Sequence, residues 1–483
     1  MPAGSQHVIS LLAVPTRRRI EFMKTKLQLL IANLLIVTTV VTAYSQGPTA
    51  KTVPIPKTDK LGSSLKFDFP DMRVGVAEYD EGPTGTTVFY FPKGAKGAVD
   101  MRGGAPGEVN AEILQNAYER PMVQAVVLSG GSWYGLSAAT GVANELKRMR
   151  AAEIDYIPGV VGAIIFDVGG RRFSRVTPDD TLGAAAVRSA EAGWFPLGAR
   201  GAGRFAMQGV YFHRGEGAEN YAGWAHSGQG GAFRTVGPTK IGVFTVVNAL
   251  GSVVGRNGMT VRCGRNDPGQ NCPSIADKLK NFPPIKPAAA ETGGPMPNTT
   301  ITLVVTNQKL PFAVLQRLAT QVHSSMARAI QPFATSQDGD ILYAVTTDEV
   351  ENPNLSPTDL SVIASEVAWD AILASVPALP ERAKPLAARP RPGSLQKFTG
   401  NYEFYGGGKL VVSFQADSLS AKFEGNGRIY FDKDKTYAIT PAENGLFLIE
   451  SPGRESLRFD EAGGNVAGLT MNPGPWAIRA EKK

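Results

Sequence analysis

The chain has 483 residues, of which 43% are hydrophobic and 19% charged, with 54 glycines and 34 prolines; this excludes general disorder and disfavours a plain helical bundle. At about 100–200 residues per domain, the length allows two to four domains. The formal charge is +7, but residues 1–45 carry five basic residues against one acid, and no basic stripe with interleaved aromatics is left to bind nucleic acid.

In chain order, Lys24 and Lys26 precede a mostly apolar run from Leu27 to Ala43, followed by Ser45 and a polar, Pro-containing stretch. The pattern predicts an export signal cleaved near residues 43–46, with an uncleaved anchor as the alternative, and a periplasmic or secreted protein. Residues 1–46 are therefore signal and extension, with Met23 as a candidate start, and 47–66 a polar linker. No later segment is long and apolar enough to cross a bilayer.

Met72–Tyr79 and Thr86–Phe91 predict strands around a Gly-Pro-Thr-Gly turn. Gln124–Leu128 predicts a short buried strand running into Ser-Gly-Gly-Ser, and Leu136–Arg150 a helix. Val160–Val168 and Ile241–Val247 read as further buried strands, with a long Gly-rich loop over 197–235. Cys263 and Cys272 flank a loop full of turn formers, which in an exported protein predicts a disulfide. A zinc site would need further ligands, and the four histidines (His7, His213, His226 and His323) offer no pair at ligand spacing. Neither metal nor cofactor is expected.

Phe282–Pro297 holds five prolines and no hydrophobic period, which predicts a linker. Directly after it, Thr299–Thr306 is an apolar, β-branched strand. An amphipathic helix follows from Pro311, with Phe312, Leu315, Leu318, Val322, Met326 and Ile330 on one face. Ile341–Thr346 predicts a strand and Leu360–Leu373 a second helix. A second Pro-rich linker covers 376–394. From 395 to 483 short alternating runs (Lys409–Phe414, Arg428–Phe431, Leu446–Ile449, Ser456–Phe459) predict an independent small barrel or sandwich. Strands alternating with helices before it make the main region, 67–375, mixed α/β.

A long linker abutting a buried strand is an odd junction within one domain, and chain cleavage at Asn298-Thr299 would explain it. A Thr that becomes a chain's first residue owns a hydroxyl and an α-amine with a pKa near 8, so one residue supplies nucleophile and base. The plainer reading is a turn into a strand, and Asn298-Thr299-Thr300 also matches a glycosylation sequon.

Eight segments, in order, carry a resemblance: VGVAEYDEGPTGTTVFYFP, DMRGGAPGE, VVLSGGSWYGLSAATGV, IIFDVGG, GAG at 201–203, VVNALGSVVG, NTTITLVVTN and ARAIQPFATSQDGDILYAVTT. Over roughly residues 60–375 the chain resembles the DmpA-type aminopeptidase family, which includes L-aminopeptidase/D-esterases, β-peptidyl aminopeptidases and nylon-oligomer hydrolases. The resemblance implies an αββα sandwich like that of N-terminal-nucleophile hydrolases. It implies a precursor that cuts itself into associated α and β chains, a homotetramer or larger assembly, and peptide, amino-acid amide or ester substrates. By position it implies cleavage between Asn298 and Thr299 with Thr299 as nucleophile, and Asn248 as oxyanion donor. It places the Tyr134 hydroxyl facing the nucleophile, and Asp338 with Asp340 orienting the new amino terminus. Their plainer readings are a strand-end turn for Asn248, a packing tyrosine, and a solvated Asp-Gly turn. The lysine that some relatives carry after Gly-Ala-Gly is missing; Arg204 is the nearest cation. The region from 395 resembles the small β domain appended to β-lactamase-like serine hydrolases, with no chemistry of its own.

Three rival readings use the same residues differently. Ser132 would serve a serine hydrolase, but Tyr134 stands where G-x-S-x-G needs its second glycine. GAGRFA at 201–206 would cradle a nucleotide, but no clear strand precedes it. A non-catalytic exported binding or scaffold protein would keep the fold without processing.

Overall fold

The computed structural model describes residues 54–115, 122–153, 155–169, 171, 175–213, 217–266, 272–280, 298–388, 390–391, 393–425, 430–432 and 434–483. The expected export signal and the linker 282–297 lie outside these residues.

The catalytic-size region is built on β1 (Arg73–Tyr79), β2 (Thr84–Met101), β3 (Met122–Ser129), α1 (Ser137–Met149), β4 (Val160–Ile164), α2 (Asp180–Arg188), β5 (Gln229–Val236), β6 (Thr239–Asn248), β7 (Thr299–Gln308), α3 (Phe312–Ser325), β8 (Ile341–Val350) and α4 (Pro357–Ala374). The strands form one ladder in the order β5-β6-β7-β8-β2-β3-β4, with β1 also on β2. The long β2 serves two half-sheets. Its Thr86–Tyr90 part pairs with β1 and β3; after a register shift between Tyr90 and Ala95, its Lys96–Met101 end pairs with β8.

Alternation along the strands produces the layers, because successive side chains point to opposite faces. In β7, Ile301, Leu303 and Val305 join Phe244 and Tyr343 against Val74, Phe89, Val126 and Val161 in a core between the half-sheets. Val304, with Val243 and Leu342, faces the other way onto α3 and α4. Val88, Val127 and Val160 likewise meet residues of α1 and α2. The result is an αββα sandwich. Each fully buried Val, Leu or Phe contributes about 1.5–3 kcal/mol, so these three cores dominate its stability. The helices start on capped ends: Asp179 accepts from Leu182 N at 2.9 Å, and Ser356 Oγ from Asp359 N at 3.1 Å, with Pro357 in the first turn.

Four predicted elements differ from the structure. The strand expected over Val160–Val168 ends at Ile164, and the chain then turns to wall a pocket. The expected loop 197–235 contains a 3-10 turn (Gly201–Gly203), a two-residue ladder of Met207–Gln208 with Ala225–His226, and most of the edge strand β5. Gln229-Gly230-Gly231 hides the strand signal, since β6 supplies pairing that local propensity does not. The helix expected to reach Ile330 stops at Ser325, and Ile330 instead pairs with Val253. Of the expected strand Arg428–Phe431, residues 428 and 429 lie outside the described residues, and Tyr430 and Phe431 are buried outside any strand.

The C-terminal region is a closed barrel of β9 (Gly400–Phe404), β10 (Gly408–Gln415), β11 (Ser418–Gly425), β12 (Thr436–Pro441), β13 (Phe447–Ile449), β14 (Ser456–Ala462), β15 (Asn465–Met471) and β16 (Ile478–Lys482), each paired with the next and β9 with β16. Closure removes free sheet edges. The separate all-β domain expected from the sequence is this barrel, and it packs on the preceding region: Phe205, Met207 and Tyr221 share a core with barrel residues such as Tyr430 and Trp476. Arg265 and Glu455 form an ion pair across the junction with side chains 1% and 0% exposed. Cys263 and Cys272 are disulfide-bonded, with Cα atoms 5.6 Å apart, in the segment that carries Arg265.

Candidate active site

Strand directions bring the site together. β6 runs antiparallel to β7 in a register that sets Asn248, the last residue of β6, opposite Thr299, the first of β7. β8 runs parallel to β7, and Asn298 bridges Asp338 just before both strands begin. The end of β6 and the starts of β7 and β8 therefore meet at one edge of the sandwich. Thr299, Asn248, Asp338 and Asp340, widely separated in sequence, are all buried there.

The Thr299 hydroxyl donates to the carbonyl oxygen of Asn298, the peptide unit immediately before it. That carbonyl also accepts the Gly339 N–H at 3.1 Å. A hydroxyl thus lies against a carbonyl that also accepts from a backbone donor. Gly339 also makes room for it. A Cβ at this position would lie 2.8 Å from Thr299 Oγ1 and 2.7 Å from the Ala105 carbonyl oxygen. Gly339→Ala is expected to displace the hydroxyl and slow any reaction at Thr299 by roughly 10²-fold, because an ångström of misplacement costs about that much. Its thermal midpoint should fall only modestly; a wild-type rate would show that the close approach is unimportant.

The Asn248 amide is held with its orientation determined. Its Oδ1 accepts from Met207 N at 2.9 Å, and its Nδ2 donates to the Phe166 carbonyl at 3.0 Å. A backbone N–H can only donate and a carbonyl can only accept, so a flipped amide would lose both bonds. One of the two Nδ2 hydrogens remains for another acceptor.

The two carboxylates are tied to the backbone around Thr299. Asp340 accepts from Thr300 N and, at 3.0 Å, from Ala334 N. Asp338 accepts from Leu250 N at 3.3 Å and from the Thr335 hydroxyl at 2.9 Å. Burial raises the pKa of Asp338, and burial together with the neighbouring Asp338 charge raises that of Asp340 well above the usual range. A neighbouring ammonium would relieve that penalty. The turn is backed by Gly103 and Gly104, whose backbones pack so closely on 336–340 that neither position has room for a Cβ.

A pocket opens beside this cluster, lined by Phe166, Asp167, Phe205, Met207, Trp224, Asn248 and Asn298 among others. Its walls are mainly apolar and aromatic, with Asp167, Asn248 and Asn298 as the polar groups.

Other sequence-derived candidates lie elsewhere. Tyr134 occupies the 3-10 turn Ser132–Leu136, is 74% exposed, and makes no hydrogen bond to Thr299. Arg204 is committed to Glu78 and Asp80, each at 2.9 Å, and does not replace the missing lysine at Thr299. Ser132 is buried with a positive φ of 56°, and no described histidine is hydrogen-bonded to it. Among the described residues no cluster of three or more His, Cys, Asp or Glu could hold a metal ion. Sequence reading missed Gly339, Met207 and Phe166. Gly339 could have been found as the glycine between the two aspartates; the other two act through backbone atoms, which leave no residue-type signal.

The profile of peptidase family S58 matches residues 67–383. A 6-aminohexanoate-oligomer endohydrolase of Paenarthrobacter ureafaciens is 41% identical over 327 residues, covering 64% of this chain and 85% of that one. An uncharacterized aminopeptidase of Mycobacterium bovis is 34% identical over 357 residues, covering 68% and 94%. A solved Burkholderia sp. beta-aminopeptidase structure superposes with a TM-score of 0.45 at 16% identity, covering 66% and 89%. The chain belongs to peptidase family S58 and, with it, to the peptidases and amide hydrolases.

Proposed function

We propose that the protein is a self-processing amide hydrolase in which Thr299, freed by cleavage after Asn298, is the N-terminal nucleophile. The observation that carries this reading is the Thr299 hydroxyl seated against the Asn298 carbonyl while Gly339 N–H donates to the same oxygen. In the precursor, Oγ1 adds to the Asn298 carbonyl carbon. The C–N bond then breaks, the hydroxyl proton passes to the departing Thr299 nitrogen, and an ester remains. Water hydrolyses the ester, releasing an Asn298 carboxylate and restoring the Thr299 hydroxyl beside the amine already freed. In the mature enzyme that amine accepts the hydroxyl proton as Oγ1 attacks a substrate amide, and returns it to the leaving amine. The spare Asn248 N–H stabilises the oxyanion, and Asp338 with Asp340 balances the α-ammonium.

The substrates are proposed to be peptides, amino-acid amides or esters, and linear ω-amino-acid oligomers. The apolar pocket suits a polymethylene chain, and the 41% identical relative bears the name of an oligomer hydrolase. The two chains are proposed to stay associated, since β6 and β7 are neighbours in one sheet, and to assemble further as a homo-oligomer. Intact-mass analysis of the purified protein should find two chains, the second beginning at Thr299. A single chain that still hydrolyses amides would overturn the mechanism. Ser132→Ala should retain activity; loss of activity with processing intact would favour the serine-hydrolase alternative.

Export belongs to the same proposal. Thiol titration of unreduced, denatured protein should detect no free thiol at Cys263 or Cys272, a pair bonded in the structure. Two reactive thiols would place the protein in a reducing compartment.

A further inference from the structure

The C-terminal barrel touches the wall of the pocket. Trp476 stacks on His226, with ring centroids 3.8 Å apart and planes within 7°. His226 meets Phe205 edge-on at 5.6 Å, and Phe205 lines the pocket. His226 is also the register partner of Met207 in the short ladder, and Met207 N is the donor that orients Asn248. A second line of contact runs through Arg265, which pairs with Glu455 and lies over the rings of Tyr221 and Tyr430. The Tyr221 hydroxyl then reaches Met207 Sδ at 3.3 Å. His226 is fully buried and burial holds its pKa well below the ordinary value, so a neutral ring faces Trp476.

We propose that the barrel is a positioning module: it clamps residues 205–213 and 217–226, and through them sets the shape of the pocket and the orientation of Asn248. The inference rests on the reading of this pocket as the substrate site. Trp476 touches no reacting atom and acts through His226, Phe205 and Met207. The barrel thereby determines which substrates fit, although its own residues carry out no chemistry.

The test uses the full chain with Trp476→Ala, Trp476→Leu and Trp476→Phe, each assayed for self-cleavage by intact mass and for kcat and KM on a 6-aminohexanoate oligomer and an amino-acid p-nitroanilide. Loss of a buried stacked aromatic is worth about a factor of ten, so the Ala and Leu variants should raise KM roughly tenfold on the longer substrate. Trp476→Phe, which keeps an aromatic face, should restore KM. Hydrogen exchange is measured in parallel on the same variants in a Thr299→Ala background. It should show lost protection over residues 205–213 and 217–226 for Ala and Leu, and wild-type protection for Phe. Unchanged KM with unchanged exchange overturns the clamp and leaves the nucleophile reading standing. If the parent neither splits nor hydrolyses amides, the nucleophile reading fails, and exchange alone decides whether the barrel holds the segment. A uniform loss of protection across the whole chain in the Leu variant would also overturn the proposal, by reducing Trp476 to a general stability residue.

Discussion

Thr299→Ala is expected to yield one uncut chain with no measurable amide hydrolysis, while folding like the parent. Removing Oγ1 removes the atom that adds to the Asn298 carbonyl, and with it the free amine that only cleavage creates. The substitution removes only Oγ1 and the γ-methyl and keeps Cβ, so the backbone pairing of β7 with β6 and β8 should survive. Thr299→Ser and Thr299→Cys keep a nucleophile and should split, more slowly. The measurement is intact mass together with turnover of an amide substrate. A Thr299→Ala protein that splits at the same bond would assign the chemistry to another residue.

Asn248→Ala should lower turnover by roughly 10²–10³-fold, the usual effect of losing one oxyanion donor. The substitution also orphans Met207 N and the Phe166 carbonyl, both close to the pocket. Leaving a buried polar group unsatisfied costs about 1–3 kcal/mol. Asn248→Asp separates the two effects: it keeps the acceptor for Met207 N but loses the donor. Turnover as low in Asp as in Ala, with most of the stability recovered, would locate the effect in the donated hydrogen. Self-cleavage should slow in both variants if the same donor serves that reaction. Undiminished turnover in either would remove Asn248 from the mechanism.

Much of the fold was legible because strand and helix periods leave a local record. Alternating β-branched residues in Thr299–Thr306 and the three-to-four spacing of Phe312, Leu315, Leu318 and Val322 are such records. The strand β5 was not legible, since the two glycines near its start carry no alternation and its partner β6 supplies the pairing. Of the candidate site only the Asn298-Thr299 junction was legible in the residues themselves; Asn248, Asp338 and Asp340 were named through resemblance. Nothing in the local sequence says that Asn248 lies opposite Thr299, which depends on the register of two strands 50 positions apart.

Tyr134 was named through resemblance alone. The segment that carries it follows a strand, as expected, yet its side chain faces solvent in the described chain. A turn with Gly131 and Ser132 both at positive φ sets that direction, and local residue types alone do not disclose it.

By itself the sequence determined the mixed α/β alternation, the position of the Asn298-Thr299 junction before a buried strand, and an all-β C-terminal region. Each of these is written in periods and turn formers that act over a few residues. Only the tertiary structure decided that the barrel shares a core with the pocket wall and that Gly339 leaves space for the Thr299 hydroxyl. It also decided that Asn248 is oriented by two backbone groups. Those facts depend on contacts between residues far apart in the chain and on atoms every residue shares, so no residue type announces them.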